Sequence, residues 1–325
     1  MKAIQVQAPG TDYQLVVDTV PQPEPGPGQV LVSVAAAGLN NADLLQARGK
    51  YPPPPGASPI LGMEVSGTIA KLGAGVSGWS IGDRVCALLG GGGYAQGALA
   101  DTGSLLPVPD GIDLVEAAGL PEAAFTAWTN VMDAGRLQRG ESLLIHGGTS
   151  GIGSIAIQIF AARGHRVFTT VGSTKKSEAA VALGASRAIN YREEDFVAAI
   201  KTETGGKGVD VILDMVGGDY VQRNIEAAAP WGRIVNIAYQ KSFRAEVNFA
   251  PVLTKRLTLA ATTLRGRTLE QKHAIRDVLL HEVWPLLGTQ LRPVTDRIFP
   301  LDKAQQAHEY MAKTGHIGKI LLAMA

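Results

Sequence analysis

The 325-residue sequence predicts an α/β protein of two domains, a β-rich barrel-like domain and a doubly wound parallel sheet. Three observations carry this. From residue 1 to about 120 the apolar runs are short, rich in β-branched residues and separated by turn clusters. From residue 122 to about 290 short apolar runs alternate with segments of helical period, the pattern of a parallel sheet with crossover helices. At the start of that region Leu143-Leu144-Ile145-His146-Gly147-Gly148-Thr149-Ser150-Gly151-Ile152-Gly153 joins an apolar strand, a glycine-rich bend and a helical pattern without a break.

In the first region Lys2–Val6, Leu15–Val20, Val30–Ala36, Met63–Leu72 and Arg84–Leu89 are expected strands. The turn cluster Pro21 to Gly28 separates the second from the third. Helical patterns are confined to Asn41–Arg48 and Leu114–Thr129. The second region reads as strand Ser142–His146, helix Ile152–Arg163, strand Val167–Val171, helix Lys175–Leu183, strand Ala188–Asn190 and helix Asp195–Thr204. It continues with strand Val209–Val216, helix Tyr220–Ala229, strands Arg233–Ala238 and Leu257–Thr262, and a long helix Leu269–Leu287. Residues Val294–Ala323 return to strand, helix, strand and are expected to rejoin the first domain. The predicted domains are therefore 1–121 with 290–325, and 122–289.

Strand, tight glycine turn and helix place free backbone N–H groups and a positive helix end against a pyrophosphate. Gly148 and Gly153 fill the outer places of the G-x-G-x-x-G spacing, and Ser150 takes the middle one. The expected phosphate seat comprises Gly148, Ser150, Gly151, Ile152 and Gly153, with the serine hydroxyl able to bond phosphate. An NAD enzyme usually carries an acid at the end of the next strand, for the ribose 2′-hydroxyl. Here that strand runs Val167 to Val171 into Gly172-Ser173-Thr174-Lys175-Lys176, and no carboxylate appears before Glu178. Small hydroxyl residues and lysines suit a 2′-phosphate, so NADPH is the expected cofactor. Val216 ends the fourth strand at the ligand edge, and Ile237, Ala238, Leu264 and Arg265 would end the next two strands on the nicotinamide side.

Composition narrows the classes further. A net charge of +1 with no long basic run argues against nucleic acid as a partner. No apolar run approaches the roughly 20 residues of a membrane helix, so no membrane is expected. The start Met1-Lys2-Ala3-Ile4-Gln5 lacks the apolar stretch of a signal peptide, and the single cysteine, Cys86, rules out internal disulfides. A cytoplasmic enzyme is the expectation.

Several stretches carry a resemblance along the whole chain. They are Ala37-Gly38-Leu39-Asn40-Asn41-Ala42-Asp43, Tyr51-Pro52-Pro53-Pro54-Pro55-Gly56, Ile60-Leu61-Gly62-Met63-Glu64, Gly82-Asp83-Arg84-Val85, Leu120-Pro121-Glu122-Ala123, the glycine loop, Asn190-Tyr191 and Gly318-Lys319-Ile320. The sequence resembles the medium-chain dehydrogenase/reductase superfamily, and most nearly its zinc-free, zeta-crystallin-like quinone oxidoreductases. The resemblance implies a GroES-like β-barrel catalytic domain and a Rossmann domain. Zinc-dependent relatives hold the metal with a cysteine and with a histidine in a Gly-His-Glu triplet. Asn40 and Met63 stand at those places, and neither amide nor thioether makes a good zinc shell, so no metal is expected.

The resemblance also places Asn40, Asp43 and Tyr51 at the reaction site, Thr126 and Thr129 under the nicotinamide, and Tyr191 with Lys176, Ser173 and Gly172 around the 2′-phosphate. Asn40 equally suits a helix N-cap, and Asp43 a first-turn acid compensating the helix dipole. Tyr51 leads a rigid proline run and could stack on a substrate or give it a proton. The implied function is an NADPH:quinone oxidoreductase working by hydride or one-electron transfer to a small quinone. Alternatives are a zinc-free reductase of alkenals or enoyl thioesters, with Tyr51 protonating carbon, and a non-catalytic NADPH-binding protein. Relatives imply a homodimer paired through cofactor-domain edge strands, with Leu257–Thr262 as the expected edge.

Overall fold

The computed structural model describes residues 1–324. Its chain divides into two units, one of Met1–Phe125 with Arg265–Ala325 and one of Thr126–Leu264.

In the first unit, β1 (Lys2–Gln7) and β2 (Gln14–Thr19) form an antiparallel pair. β3 (Gln29–Gly38) follows, then α1 (Asn41–Ala47), β4 (Glu64–Leu72), β5 (Arg84–Leu88), β6 (Gly97–Asp101) and β7 (Leu105–Pro107). The small-residue run of β6 and the three-residue β7 carry too little apolar alternation to stand out in the sequence. The helix expected over Leu114–Thr129 is interrupted. A 3-10 turn covers Glu116–Gly119, α2 covers Pro121–Trp128, and a π-helical turn covers Thr129–Ala134. Pro121 has no N–H to continue a helical ladder, and a new helix starts with it.

The second unit contains β8 (Ser142–His146), α3 (Gly151–Ala162), β9 (Arg166–Val171), α4 (Thr174–Ala182), β10 (Arg187–Asn190) and α5 (Phe196–Glu203). It ends with β11 (Val209–Asp214), α6 (Tyr220–Ala227), β12 (Ala228–Asn236), α7 (Ala250–Lys255) and β13 (Thr258–Ala261). β12 starts five residues earlier than expected and truncates α6, because Ala228 pairs with Val209 ahead of a bulge. All six strands run parallel, in the order β10-β9-β8-β11-β12-β13. The chain thus winds outward from β8 and then back across it, which puts a topological switch point between β8 and β11. Phe168, Leu144, Ile212 and Ile234 form one lateral row across four strands and belong to one buried cluster.

The returning segment holds α8 (Leu269–Glu282), β14 (Thr295–Pro300), α9 (Ala304–Ala312) and β15 (Lys319–Ala323). α8 was expected in the second domain but lies in the first unit. There His273 Nε2 meets Asp101 at 2.6 Å, and the Trp284 indole after the helix donates to Pro107 O at 2.8 Å. The seven-stranded sheet of this unit runs β14-β15-β3-β4-β5-β7, with β6 also on β3. Its core gathers Val32, Val65, Ile69, Val85, Leu105 and Leu322. No helix among the described residues is long and apolar enough to cross a membrane.

Candidate active site

In a parallel sheet every strand delivers its following loop to the same edge. In the second unit those loops carry the residues expected to bind a dinucleotide. After β8, Gly147 has φ +70° and turns the chain. A Cβ on Gly148 would lie 1.9 Å from Thr169 Oγ1, and one on Gly153 would lie 2.3 Å from Gly147 O. Both glycines are therefore fixed by packing of the loop on β9 and on itself. Ser150 Oγ caps α3 by accepting the Gly153 N–H at 3.0 Å, while its O–H is directed at Met215 Sδ, 3.8 Å away. The first N–H groups of the helix, on Gly151 and Ile152, have no acceptor one turn earlier and form its positive end.

At the next strand ends four residues meet at one corner. A Cβ on Gly172 would sit 2.6 Å from the Tyr191 hydroxyl, so the tyrosine lies against this glycine, while staying 44% exposed. Ser173 caps α4 by accepting the Lys176 N–H at 3.3 Å. Lys176 is half-buried and Lys175 is exposed. Further along the edge Val216, Ile237 and Ala238 are half-buried, and Leu264 is buried. Thr126 is buried in α2. Thr129 is fully buried, and its hydroxyl donates to Asp133 at 3.1 Å, which turns it into its own helix rather than outward.

The first unit holds the other cluster. Asn40 Nδ2 donates to Glu64 Oε1 at 2.9 Å, and Asn40 Oδ1 accepts from Lys319 Nζ at 2.8 Å. Lys319 Nζ also lies 2.5 Å from Glu64 Oε1, and the Glu122 N–H donates to Glu64 Oε2 at 2.8 Å. Glu64 has no exposed surface, and Lys319 is 5% exposed. A Cβ on Gly38 would meet Glu64 Oε1 at 2.2 Å, so this glycine makes room for the carboxylate. Met63, beside Glu64, is buried. Among the described residues no three His, Cys, Asp or Glu side chains gather where they could hold a metal ion.

Asp43 is fully buried beneath the start of α1. It accepts from the Asn40 N–H at 2.8 Å, the Gly62 N–H at 3.0 Å and the Tyr94 hydroxyl at 3.3 Å. Burial raises its carboxyl to about 6, opposed by the two backbone N–H donors and by the charges of Lys319 and Arg265. Tyr94 continues to His308 Nε2 at 3.2 Å, and His308 Nδ1 to the Tyr13 hydroxyl at 2.9 Å. Burial lowers His308 to about 3, which keeps it neutral.

Tyr51 is half-buried, and the Arg265 guanidinium lies over its ring at 5.4 Å. Burial raises the phenol, Glu122 adds to this and Arg265 opposes it. Arg265, expected at the end of a cofactor-domain strand, begins the returning segment of the first unit and donates to Gly90 O at 2.7 Å, to Gln46 Oε1 at 2.7 Å and to Tyr51 O at 3.5 Å. It clamps the loop bearing Tyr51. Glu64, Lys319 and His308 were not singled out as functional from the sequence. The available signal was a lone charge opening an apolar strand, as in Glu64-Val65 and Lys319-Ile320-Leu321-Leu322.

Residues 26–110 match the family model described as alcohol dehydrogenase GroES-like domain, and residues 151–280 match zinc-binding dehydrogenase. The quinone oxidoreductase of Rattus norvegicus is 31% identical over 100% of this chain and 98% of its own length. A phenolphthiocerol/phthiocerol polyketide synthase subunit of Mycobacterium tuberculosis is 34% identical over 99% of this chain, which spans only 15% of that protein. Among solved structures, Escherichia coli quinone oxidoreductase complexed with NADPH superposes with a TM-score of 0.85 at 27% identity, covering 99% of this chain and 100% of its own. The CurK enoyl reductase gives a TM-score of 0.85 at 27% identity, covering 100% of this chain and 99% of its own.

Proposed function

This chain belongs to the medium-chain dehydrogenase/reductase superfamily, with quinone oxidoreductases among its relatives, and we propose that it is an NADPH-dependent, zinc-independent reductase of small quinones. The observation that carries this is the Lys319 ammonium seated on Glu64 and Asn40. At the places where zinc-dependent relatives present thiolate and imidazole, this chain has an amide already bonded to an ammonium and a buried thioether. That donor set does not suit zinc. It supports an acceptor whose reduction needs no Lewis acid, and a quinone is such an acceptor because its reduced form is aromatic.

NADPH, when bound, supplies the hydride. The chain's own part is binding, orientation and proton supply. The N–H groups of Gly151 and Ile152 hold the pyrophosphate. Gly172, Ser173, Lys176 and Tyr191 hold the 2′-phosphate, and the absence of an acid after β9 favours it over a free ribose hydroxyl. Val216, Ile237, Ala238 and Leu264 flank the nicotinamide side. In the first unit Asn40 and Tyr51 face the acceptor, with the Tyr51 hydroxyl as proton source. Asp43, with no exposed surface, is a positioning residue that holds Asn40 and Gly62.

A second reading is favoured by the enoyl reductase relatives and by the desolvated Tyr51 hydroxyl, which could protonate the α-carbon of an enoyl thioester. NADPH consumption with 1,2- and 1,4-quinones and with enoyl thioesters separates the two. Turnover of enoyl thioesters alone would transfer the assignment to the second reading. The exposed edge strand β13, with Leu259 41% exposed, supports a homodimer paired along that edge. Sedimentation as a monomer at micromolar concentration would reject it.

A further inference from the structure

Beneath the loop edge of the six-stranded sheet runs a buried polar chain that no substrate or cofactor contact requires. Asp214, at the end of β11, has no exposed surface. Its Oδ2 accepts from Asn224 Nδ2 at 3.0 Å and from Asn236 Nδ2 at 2.8 Å, and its Oδ1 accepts from the Val216 and Gly217 N–H groups at 2.7 and 3.2 Å. On the other side of Asn224, Oδ1 lies 2.7 Å from His146 Nε2, and His146 Nδ1 lies 2.9 Å from Thr170 Oγ1. The backbone carbonyl of Thr170 then accepts the N–H groups of Gly147 and Gly148, at 3.1 and 3.2 Å. One end of the chain therefore holds the glycine loop, and the other holds the loop after β11.

Every direction in this chain is settled by chemistry. A carboxylate only accepts, so Asn224 presents its NH2 to Asp214 and its carbonyl to His146. Nε2 of His146 must then carry the proton. Burial lowers the basicity of this imidazole, more than the nearby Asp214 raises it, and the ring stays neutral. Nδ1 is therefore bare and accepts from the Thr170 hydroxyl. Phe196 and Tyr220 meet the ring edge-on, with centroids 5.0 and 4.9 Å away, and fix its plane. A buried polar network completed in this way has one arrangement, and each missing member leaves its neighbours unpaired.

We propose that His146 is a positioning residue which, through Thr170 on one side and Asn224 and Asp214 on the other, fixes the spacing between the phosphate seat and the nicotinamide-side loop. This rests on the reading of the second unit as a dinucleotide site. A ligand that bridges both loops feels the spacing. A ligand confined to the phosphate and adenosine end does not.

The test uses the full chain and three proteins: wild type, His146→Phe and His146→Gln. Phenylalanine keeps the aromatic packing and removes both hydrogen bonds. Glutamine can restore them, donating to Asn224 and accepting from Thr170. Calorimetry with NADPH and with 2′,5′-ADP is expected to show NADPH weakened at least tenfold in His146→Phe, 2′,5′-ADP changed less than threefold, and glutamine restoring NADPH to within threefold. Equal loss for both ligands, or no loss, would overturn the proposal. Nitrogen-15 spectra of wild-type His146 provide an independent check that needs no variant. The Nε2–H tautomer is expected at pH 8, and the Nδ1–H tautomer or an imidazolium there would overturn the proposal. If wild type binds neither ligand, the dinucleotide reading itself fails, a result distinguishable from either of these.

Discussion

Replacing Lys319 by methionine removes the ammonium from between Glu64 and Asn40 while keeping an unbranched chain of similar length. The Glu64 carboxyl, with no exposed surface, is then left with only the Asn40 amide and the Glu122 N–H as partners. Breaking a buried ion pair by deleting one partner costs about 3–5 kcal/mol, because the remaining charge stays desolvated. Glu64→Gln should cost a comparable amount by stranding the ammonium. The double variant Glu64→Gln/Lys319→Met removes both charges, so its loss should fall short of the sum by at least about 2 kcal/mol. Urea unfolding followed by tryptophan fluorescence reads this cycle, since Trp284 is buried in the same unit. The Lys319→Met protein should also lose at least about tenfold in quinone kcat, since Asn40 Oδ1 loses the donor that orients it. Single variants costing less than about 1 kcal/mol, with additive effects, would refute the reasoning.

Three further outcomes are expected. Gly172→Val puts side-chain atoms where the Tyr191 hydroxyl now lies 2.6 Å from the Cβ position, so NADPH affinity should fall about tenfold (1.4 kcal/mol) and NADH affinity less; equal losses measured by fluorescence titration would contradict this. Asp43 should titrate near 6 in carboxyl carbon-13 spectra, and a midpoint near 4 would contradict its burial. Its native carboxyl binds a proton more tightly than the unfolded chain does, so its contribution to stability is complete below about pH 4 and is lost as pH rises through 6, by about 3 kcal/mol in all. Tyr51→Phe should lower any reduction of enoyl thioesters by more than tenfold (over about 1.4 kcal/mol) and quinone reduction by less, since a quinone oxygen can take its proton from water; equal losses in steady-state assays would remove that distinction.

The parallel sheet was legible because its central strands are buried on both faces. Leu143-Leu144-Ile145 reads as an unbroken apolar run and Val209–Asp214 as one broken only by Asp210 and Asp214, and the glycine loop marks where the first crossover begins. The position of α8 was not legible. Its attachment to the first unit rests on contacts such as His273 with Asp101, 172 residues apart in sequence. The same holds for the site. Asn40, Tyr51 and the cofactor-edge residues lie in recognisable local patterns. Lys319 reaches Asn40 across 279 residues, and Tyr94 reaches His308 across 214. Ser150 shows the opposite limit. The sequence placed it in the phosphate loop, but only the structure shows its hydroxyl engaged as a helix cap.

The most direct test of a zinc-independent quinone reductase is the steady-state rate with NADPH and a 1,4-quinone, using protein whose metal content has been shown to be zero by elemental analysis. The predicted result is full activity, unchanged by added zinc and much lower with NADH. Activity that appears only after zinc is restored, or no quinone turnover by protein that binds NADPH tightly, would contradict it.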